Sequence, residues 1–302
     1  MRRSLAGVVV AALLATGLVA GSSRPAAAWT PLEFSDVPET HPFRHAVFWM
    51  TYRQLTTGYQ ENGRFAFRPS APVLREQMAA FLYRYAGHPD VDDLPEVSPF
   101  TDVPTSHVFY AEIVWLSRSG ITTGYADGTF RPSEPVLREQ MAAFLHRFAG
   151  VIDGGASTFS DVPDTHVFAD EIAWMADLGI TTGYADGTFR PSAPSLREQL
   201  AAFLYRFDES VPPVPESAQV VLDQEPVVGV TVTASLQQPH AAYTSVGFEW
   251  RIDGGPRMAT GRTYPLRSAG DFEYVYAVVR TPGHRPTRTG GFLLDVAPAP
   301  AP

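Results

Sequence analysis

Cysteine and lysine are both absent from this 302-residue chain, and each absence narrows its chemistry. Without cysteine the chain has no disulfide, no thiol nucleophile and no thiolate metal ligand. Because lysine is missing, all 23 basic residues are arginine, and 32 acidic residues bring the formal net charge to -9. Such an acidic chain lacks the broad basic face that general binding to nucleic acid or anionic lipid requires. We therefore expect any anion to be held in discrete arginine pockets.

Long apolar runs are also scarce, and the one clear example lies at the N-terminus. Arg2 and Arg3 precede an apolar run over residues 5–20, and the small residues 26–28 come just before Trp29. This order is typical of a cleaved secretory signal. The run is interrupted by Gly and Thr and is short for a membrane-spanning helix. We predict a signal peptide over residues 1–28, export, and no stable membrane insertion after cleavage.

The remainder of the N-terminal two thirds is repetitive. The phrases FSDVPETH, FTDVPTSH and FSDVPDTH begin at Phe34, Phe100 and Phe159. The phrase TTGYADGTFRP begins at Thr122 and again at Thr181, and a looser copy begins at Thr56. Repetition on this scale indicates stacked or ring-like units. We divide the region into repeats at residues 29–98, 99–157 and 158–210.

Each repeat has the pattern of a helix, a loop and a second helix. In the second repeat, the first helix is predicted from apolar residues at helical spacing that end at Gly120. The second helix is predicted from the apolar positions of LREQMAAFLHRFAG and ends at Gly150. One such pair cannot bury its own apolar face, whereas three pairs packed together can.

The loop between the helices contains residues that a turn explains and residues that it does not. Gly124 and Gly183 are expected to relieve backbone strain, and each Asp-Gly pair is expected to shape the bend. A turn does not require an arginine before Pro-Ser, and the first turn of a helix mildly disfavours a cation. These arginines therefore suggest an anion or a carboxylate. They are Arg68, Arg131 and Arg190 in the loops, and Arg75, Arg138 and Arg197 at the helix starts.

Taken together, these motifs resemble those of the S-layer homology (SLH) family, whose repeats read roughly F-x-D-V, G-Y-x-D-G-x-F-x-P and T-R-A-E. The resemblance covers residues 34–207. It implies a pseudo-threefold bundle with grooves between neighbouring units. It also implies non-covalent attachment to secondary cell-wall polymers, commonly glycans that carry ketal-linked pyruvate.

The resemblance also assigns candidate ligand-binding residues. Arg75, Arg138 and Arg197 stand at the T-R-A-E arginine and would bind a carboxylate through a planar fork. Asp36, Asp102 and Asp161 stand at the F-x-D-V aspartate and would accept from sugar hydroxyls or hold the arginine. Tyr59, Tyr125 and Tyr184 would offer an aromatic face to a sugar ring. The loop arginines Arg68, Arg131 and Arg190 complete the set.

Several features depart from the family pattern or suggest other chemistry. Leu-Arg-Glu-Gln replaces Thr-Arg-Ala-Glu, and Ser195 with Glu198 is predicted to form a capping box only in the third repeat. Extra residues after Tyr59 suggest that the first groove is altered or idle. The histidines occur once per repeat and are interpreted as helix-entry or packing residues, because zinc requires clustered ligands. They are His41, His107 and His166.

The last third changes from helical periodicity to alternation. A proline-rich linker is predicted over residues 211–217, a β domain over 218–296 and an unstructured tail over 297–302. Strands are predicted in VGVTVTASL, VGFEWRI, RTYPL and EYVYAVVR, with a hairpin at RIDGGP. Trp250 is expected in a sandwich core. The region resembles the small Ig-like modules of bacterial surface proteins.

We predict a multidomain α + β fold, in which a mainly α pseudo-threefold SLH bundle is followed by a small β-sandwich. The expected function is non-covalent attachment of a secreted protein to the cell wall, at the cell surface or S-layer. The expected partner is a secondary cell-wall polysaccharide or a peptidoglycan-linked glycan. The alternatives are an adhesin and a wall-active glycoside hydrolase, which would use Glu76, Glu139 and Glu198. The chain is not expected to be an enzyme, because hydrolysis requires an asymmetric carboxylate pair and these residues recur in triplicate. No cofactor or metal is expected, and the polymer and the number of occupied grooves are left open.

Overall fold

The computed structural model describes most of the region after the predicted signal peptide. The described residues are 32–89, 91, 94–150, 159–213, 219–224, 226–237, 245–252, 257–260, 263–266 and 272–295. The predicted signal peptide, the C-terminal tail and residues 214–217 of the predicted linker lie outside this set.

Six helices occur among the described residues, two in each repeat, and they alternate between short and long. They are α1 (Arg44–Tyr52), α2 (Arg75–Tyr85), α3 (Tyr110–Arg118), α4 (Arg138–Ala149), α5 (Ala169–Asp177) and α6 (Arg197–Ser210). In the first repeat, a small hairpin of β1 (Tyr59–Glu61) and β2 (Arg64–Ala66) lies between the helices. The helix–loop–helix prediction is confirmed in all three repeats.

The three repeats close into a ring. The long helix of each repeat packs against the short helix of the next, in the pairs α2 with α3, α4 with α5, and α6 with α1. At the N-terminal ends of the long helices, three backbone amides donate around the ring axis. Val73 donates to Ser195, Ser195 to Val136, and Val136 to Val73, over 2.8–2.9 Å. The arrangement has pseudo-threefold symmetry, and one apolar core fills its interior.

The axial ring of hydrogen bonds explains why the predicted capping box is wrong. The residue that caps α6 is Leu196, and its N–H donates to the Gln199 side chain at 3.2 Å. Ser195 is fully buried, and its hydroxyl has no hydrogen-bond partner among the described residues. The same glutamine contact caps α2 and α4, through Gln77 and Gln140. A glutamine therefore provides a cap in every repeat.

Among its described residues, the β domain contains seven strands in two antiparallel sheets. One sheet has the order β3-β4-β7 and the other β6-β5-β8-β9. The strands are β3 (Val220–Leu222), β4 (Thr231–Leu236), β5 (Ser245–Ile252), β6 (Arg257–Thr260), β7 (Thr263–Pro265), β8 (Phe272–Arg280) and β9 (Thr287–Asp295). Trp250 of β5 is fully buried and stacks on Tyr264 of β7, with ring centroids 5.0 Å apart. The predicted core tryptophan is confirmed, as is the β5–β6 hairpin, whereas β3 and β9 were not predicted. The Ig-like identity stays a prediction.

The β domain contacts the bundle at the C-terminal ends of the long helices. Arg280 is 5% exposed, and its Nε donates to the carbonyl of Phe148 in α4 at 2.8 Å. Arg285 pairs with Asp208 of α6 at 2.7 Å, and its amide donates to the carbonyl of Pro212. The end of the bundle that lies opposite the axial hydrogen bonds is therefore covered by the β domain.

None of the helices among the described residues combines the length and the apolar character that a bilayer crossing requires.

Candidate functional site

Grooves run between neighbouring repeats, and each combines parts of three of them. Groove 1 has a volume of about 150 Å³, and its lining includes Gly58, Tyr59, Phe81, Arg84, Phe109 and Arg197. Groove 2 has a volume of about 230 Å³, and its lining includes Arg75, Gly124, Tyr125, Phe144, Arg147 and Phe168. We call the equivalent position around Arg138, Tyr184 and Phe203 groove 3.

The TTGY loop approaches each groove closely because its glycine permits a left-handed backbone. Gly124 has a φ of 71°, and a Cβ added there would lie 2.5 Å from Phe100 and 2.6 Å from the Thr129 carbonyl. A Cβ added at Gly58 or at Gly183 would lie 2.3 or 2.4 Å from the equivalent phenylalanine. The expectation that these glycines serve the backbone is confirmed.

The three arginines at the starts of the long helices, which we call the central arginines, are buried among aromatic rings. The guanidinium carbon of Arg75 lies 4.8 Å from the Tyr125 ring, 4.8 Å from Phe130 and 5.5 Å from Phe144. Its Nε donates to the Phe130 carbonyl at 2.7 Å. Arg138 and Arg197 repeat this environment with Phe189 and Phe67 as the carbonyl acceptors. All three residues are 3–4% exposed.

No central arginine has a carboxylate within salt-bridge distance among the described residues. Burial lowers the pKa of Arg75, Arg138 and Arg197 below the usual arginine value. A buried cation without a counter-charge is unfavourable, and structures usually compensate it with an anion. The Nε donor is used internally, while Nη1 and Nη2 carry the fork that binds a carboxylate. In groove 3, Nη1 of Arg138 also approaches Gln199 at 3.5 Å.

The loop tyrosines are enclosed by arginines. The Tyr125 ring has the Arg131 guanidinium carbon 3.9 Å from its centroid in addition to that of Arg75, and Gln140 donates to its hydroxyl at 3.1 Å. Tyr59 and Tyr184 each lie in the same way between a loop arginine and a central arginine. These cation–π contacts hold the central arginines in place. The role of the tyrosines in contacting sugar rings stays a prediction.

The loop arginines brace the turn. Arg131 adopts a φ of 58°, and its Nη2 donates to Asp127 Oδ2 at 2.9 Å. Hydrogen bonds from Thr129 and then Arg131 lower the pKa of Asp127 to about 2. Arg190 repeats these contacts with Asp186, whereas Arg68 pairs with Glu61 at 2.6 Å. All three arginines thus organise the groove wall, and their direct contact with a ligand stays a prediction.

The F-x-D-V aspartates hold the loop through its backbone. Asp102 accepts from the N–H of Phe130 at 2.8 Å and from the N–H of Arg131 at 2.7 Å. Asp36 and Asp161 make the same two contacts in their own repeats. These carboxylates therefore bind backbone amides rather than a guanidinium. Their contact with sugar hydroxyls stays a prediction.

The repeated histidines lie at helix entries, as the sequence indicated. Nδ1 of His107 accepts from the N–H of Phe109, so the ring proton lies on Nε2, which is 3.3 Å from Glu76 of the preceding repeat. His166 with Glu139 and His41 with Glu198 repeat the contact at 3.4 Å. Each of these glutamates thus joins neighbouring repeats. Each pair joins a glutamate to a histidine, whereas glycoside hydrolysis requires two carboxyl groups that face each other.

Two sets of groove residues were missed by the sequence reasoning. The first set is Arg84 in groove 1 and Arg147 in groove 2. These two residues and their equivalent Arg206 each lie nine residues after a central arginine, in the long helices. The second set consists of Phe109 and Phe168, which line the grooves from the neighbouring repeat. Both sets recur in register in the sequence, and that recurrence could have identified them.

Comparisons with known proteins concern the same three repeats. Residues 33–79, 99–142 and 158–201 match the sequence model of the S-layer homology domain, and each segment contains one central arginine. A stretch of 173 residues is 27% identical to Cell surface glycoprotein 1 of Acetivibrio thermocellus, covering 53% of this chain and 7% of that protein. A stretch of 111 residues is 27% identical to the Cellulosome-anchoring protein of the same organism, covering 35% and 25%.

A third relative is an Endoglucanase from Bacillus sp., 30% identical over 175 residues, which cover 56% of this chain and 18% of the relative. The chain spans a quarter or less of the length of these three relatives. What they share with this chain is thus a minor part of each. On the three matched segments, this chain contains three S-layer homology domains.

Proposed function

We propose that this chain is a non-catalytic anchor, which holds a secreted protein to the cell wall by binding wall glycan in the grooves between its three SLH domains. The domains place it at the cell surface. Two of the relatives, a cell surface glycoprotein and a cellulosome-anchoring protein, carry names that fit this role. The β domain then projects from the opposite end of the bundle as a spacer or adhesive module.

One observation carries the proposal: each groove position presents a buried arginine that has no carboxylate partner among the described residues. An anionic ligand would supply the missing charge, and it would do so in a desolvated site where charge-assisted hydrogen bonds are strong. A pyruvate ketal fits this chemistry because it presents a fixed carboxylate on a sugar. The apolar rings beside the arginine suit the ketal methyl group.

A glycoside hydrolase is the less favoured alternative. The relative named Endoglucanase shares with this chain only 18% of its own length. The glutamates that a hydrolase would use are paired with histidines across the repeat boundaries. An asymmetric acid and nucleophile pair is therefore not provided by these three residues.

Sedimentation with purified cell-wall sacculi tests the proposal. Arg75→Ala, Arg138→Ala and Arg197→Ala should each weaken wall binding, by up to about tenfold to a hundredfold where that groove dominates. Combined variants should lose more than single ones because several grooves act together. Arg118→Ala, which removes an exposed arginine at the end of α3, is the control. Full binding by a folded triple variant would refute the proposal.

The ligand's charge is tested on the sacculi themselves. Mild acid treatment that removes ketal-linked pyruvate should reduce wild-type binding to the level of the triple variant. If depyruvylated walls bind as well as untreated walls, the anion is a different one. Loss of turbidity of the suspended sacculi, measured in the same samples, would indicate hydrolysis instead.

A further inference from the structure

We infer that groove 2 is the principal binding groove and that Arg147 is its second, specificity-determining cation, which selects a glycan segment with two acid groups. The inference rests on the proposed function and deepens it. Arg147 belongs to the set at the far ends of the long helices, with Arg84 and Arg206, and these three residues occupy equivalent positions in the repeats.

The three equivalent arginines differ in how they are held. Nη1 of Arg84 donates to the Leu55 carbonyl at 3.0 Å, and Nη1 of Arg206 donates to the Ile180 carbonyl at 3.2 Å. In each case the carbonyl belongs to the loop that precedes TTGY. Arg147 makes no corresponding bond to Ile121 within the described part of the chain, and its side chain is 43% exposed. Its guanidinium is therefore available to a ligand.

The nearest carboxylate to Arg147 is a weak competitor for that ligand. Glu171 of α5 approaches with its Oε1 at 4.0 Å from Nη2, which is too long for a hydrogen bond. An ion pair at this distance contributes little free energy, since water screens the 43% exposed arginine. A ligand carboxylate that forms two short hydrogen bonds with Arg147 can replace this contact.

Position along the helix separates the two cations of groove 2. Gln140, Phe144 and Arg147 share one face of α4, because they are spaced by four and three residues. Arg75 lies beside Phe144, with its guanidinium carbon 5.5 Å from that ring. Arg147 follows Phe144 by three residues, a rise of about 4.5 Å along the helix axis. Groove 2 thus places one buried and one accessible guanidinium along its length.

Volume favours the same groove, and its wall offers an apolar surface to a sugar ring. Groove 2 has a volume of about 230 Å³ against about 150 Å³ for groove 1. The wall supplied by the next repeat ends in Phe168, and the adjacent Val167 is 85% exposed. An extended glycan can therefore lie along α4, with an acid group on Arg75, a second on Arg147 and an apolar sugar face on this wall.

The first test compares the equivalent arginines in the full-length mature protein. Arg147→Gln should weaken binding to sacculi about three- to tenfold, as expected for one partly exposed charge-assisted contact. Arg84→Gln and Arg206→Gln are the equivalent variants, which should lower the melting temperature and weaken wall binding less than Arg147→Gln does, because their guanidinium groups are tied to backbone carbonyls. Arg118→Gln, at the exposed end of α3, is the control and should leave wall affinity unchanged. Arg147→Lys should retain part of the affinity.

The second test addresses the two acid groups with defined probes. Galacturonate and digalacturonate, which carry one and two carboxylates, are added as competitors of sacculi binding by the wild-type protein and by the Arg147→Gln variant. Digalacturonate should displace the wild type at about tenfold lower concentration than galacturonate, and the variant should lose this difference. Equal competition by the two probes, or competition by neither, would overturn the inference.

The outcomes separate this inference from the proposed function. If Arg75→Ala keeps full binding, the anion-groove function itself is wrong. If Arg75→Ala loses binding while Arg147→Gln matches Arg84→Gln, only the role of Arg147 is wrong. If Arg197→Ala or Arg138→Ala is more harmful than Arg75→Ala, groove 2 is not the principal site.

Discussion

At the residue scale, the sequence identified the unusual arginines but could not assign their roles. The central and loop arginines were distinguishable from turn residues because neither a turn nor a helix start requires them. What separates the two sets is burial: the central arginines are 3–4% exposed, whereas Arg131 and its equivalents pair with carboxylates at the surface. A repeated motif gives the residue type and position. It does not give the partner, because here the partners lie up to 130 residues apart.

A pair of substitutions at this scale separates ligand residues from structural ones. Asp102→Ala removes two charge-assisted bonds to backbone amides and should lower the free energy of unfolding by about 2–4 kcal/mol. Arg75→Met removes a buried cation that has no acidic partner and keeps apolar contact with the three rings. Its effect on stability should therefore stay within about 1 kcal/mol, while wall binding falls.

Urea unfolding of both variants, followed by fluorescence, measures the difference. Asp36→Ala and Asp161→Ala should repeat the effect of Asp102→Ala, because they make the same contacts. A larger loss of stability in Arg75→Met than in Asp102→Ala would contradict the assignment. The central arginines would then be core residues rather than ligand residues.

At the element scale, the periodic helices were predictable and the closure between repeats was not. The long helices follow from apolar residues at helical spacing, and one such pair in isolation exposes its apolar face. The capping box failed because Ser195 contributes its backbone to the axial hydrogen bonds, which join three repeats. The extra residues of the first loop form a hairpin in which Asn62 and Gly63 have positive φ angles. This turn matches the strand twist, so the insertion is absorbed without loss of groove 1.

The loop glycines provide the prediction at this scale. Gly124→Ala places a Cβ on a residue with left-handed backbone and brings that Cβ into contact with Phe100. Gly120→Ala introduces the same backbone strain but no clash, since nothing lies within 4 Å of its Cβ position. Gly120→Ala should cost about 1–2 kcal/mol of stability. Gly124→Ala should cost clearly more and should also displace the TTGY loop from groove 2. Thermal unfolding measures the stability of the two variants, and sedimentation with sacculi measures their wall binding. Equal destabilisation by the two variants would contradict the packing argument.

At the scale of the whole molecule, composition separated a helical region from a β region, and the contact between them could not be predicted. A proline-rich segment reads as a linker whether or not the domains touch. In the structure, Arg280 is buried against the last carbonyls of α4, and burial lowers its pKa to about 10. Gly87 packs closely against Val278, since a Cβ added at Gly87 would lie 2.3 Å from the Cβ of Val278. The β domain thus covers the aromatic cluster of Tyr85, Phe148 and Phe207 at the end of the bundle.

Removing that cover is the prediction for the whole molecule. A chain that ends at Ser210 should still fold and bind sacculi, because the three repeats close on one another without the β domain. It should melt at a lower temperature than the full-length protein, since the ends of the long helices lose Arg280 and Arg285.

Arg280→Ala tests the same contact without truncation. The full-length protein should unfold in one cooperative transition, because the interface couples the two cores. The variant leaves the Phe148 carbonyl without its buried donor, a loss of about 1.5–3 kcal/mol, and should unfold in two calorimetric steps. Wall binding by the variant should equal that of the wild type, because Arg280 contacts α4 through the backbone carbonyls of Arg147 and Phe148 and is not in the lining of groove 1 or groove 2. A single unchanged transition in the variant would mean that Arg280 contributes little to the coupling, and aggregation of the shortened chain would mean that the bundle depends on the β domain to fold.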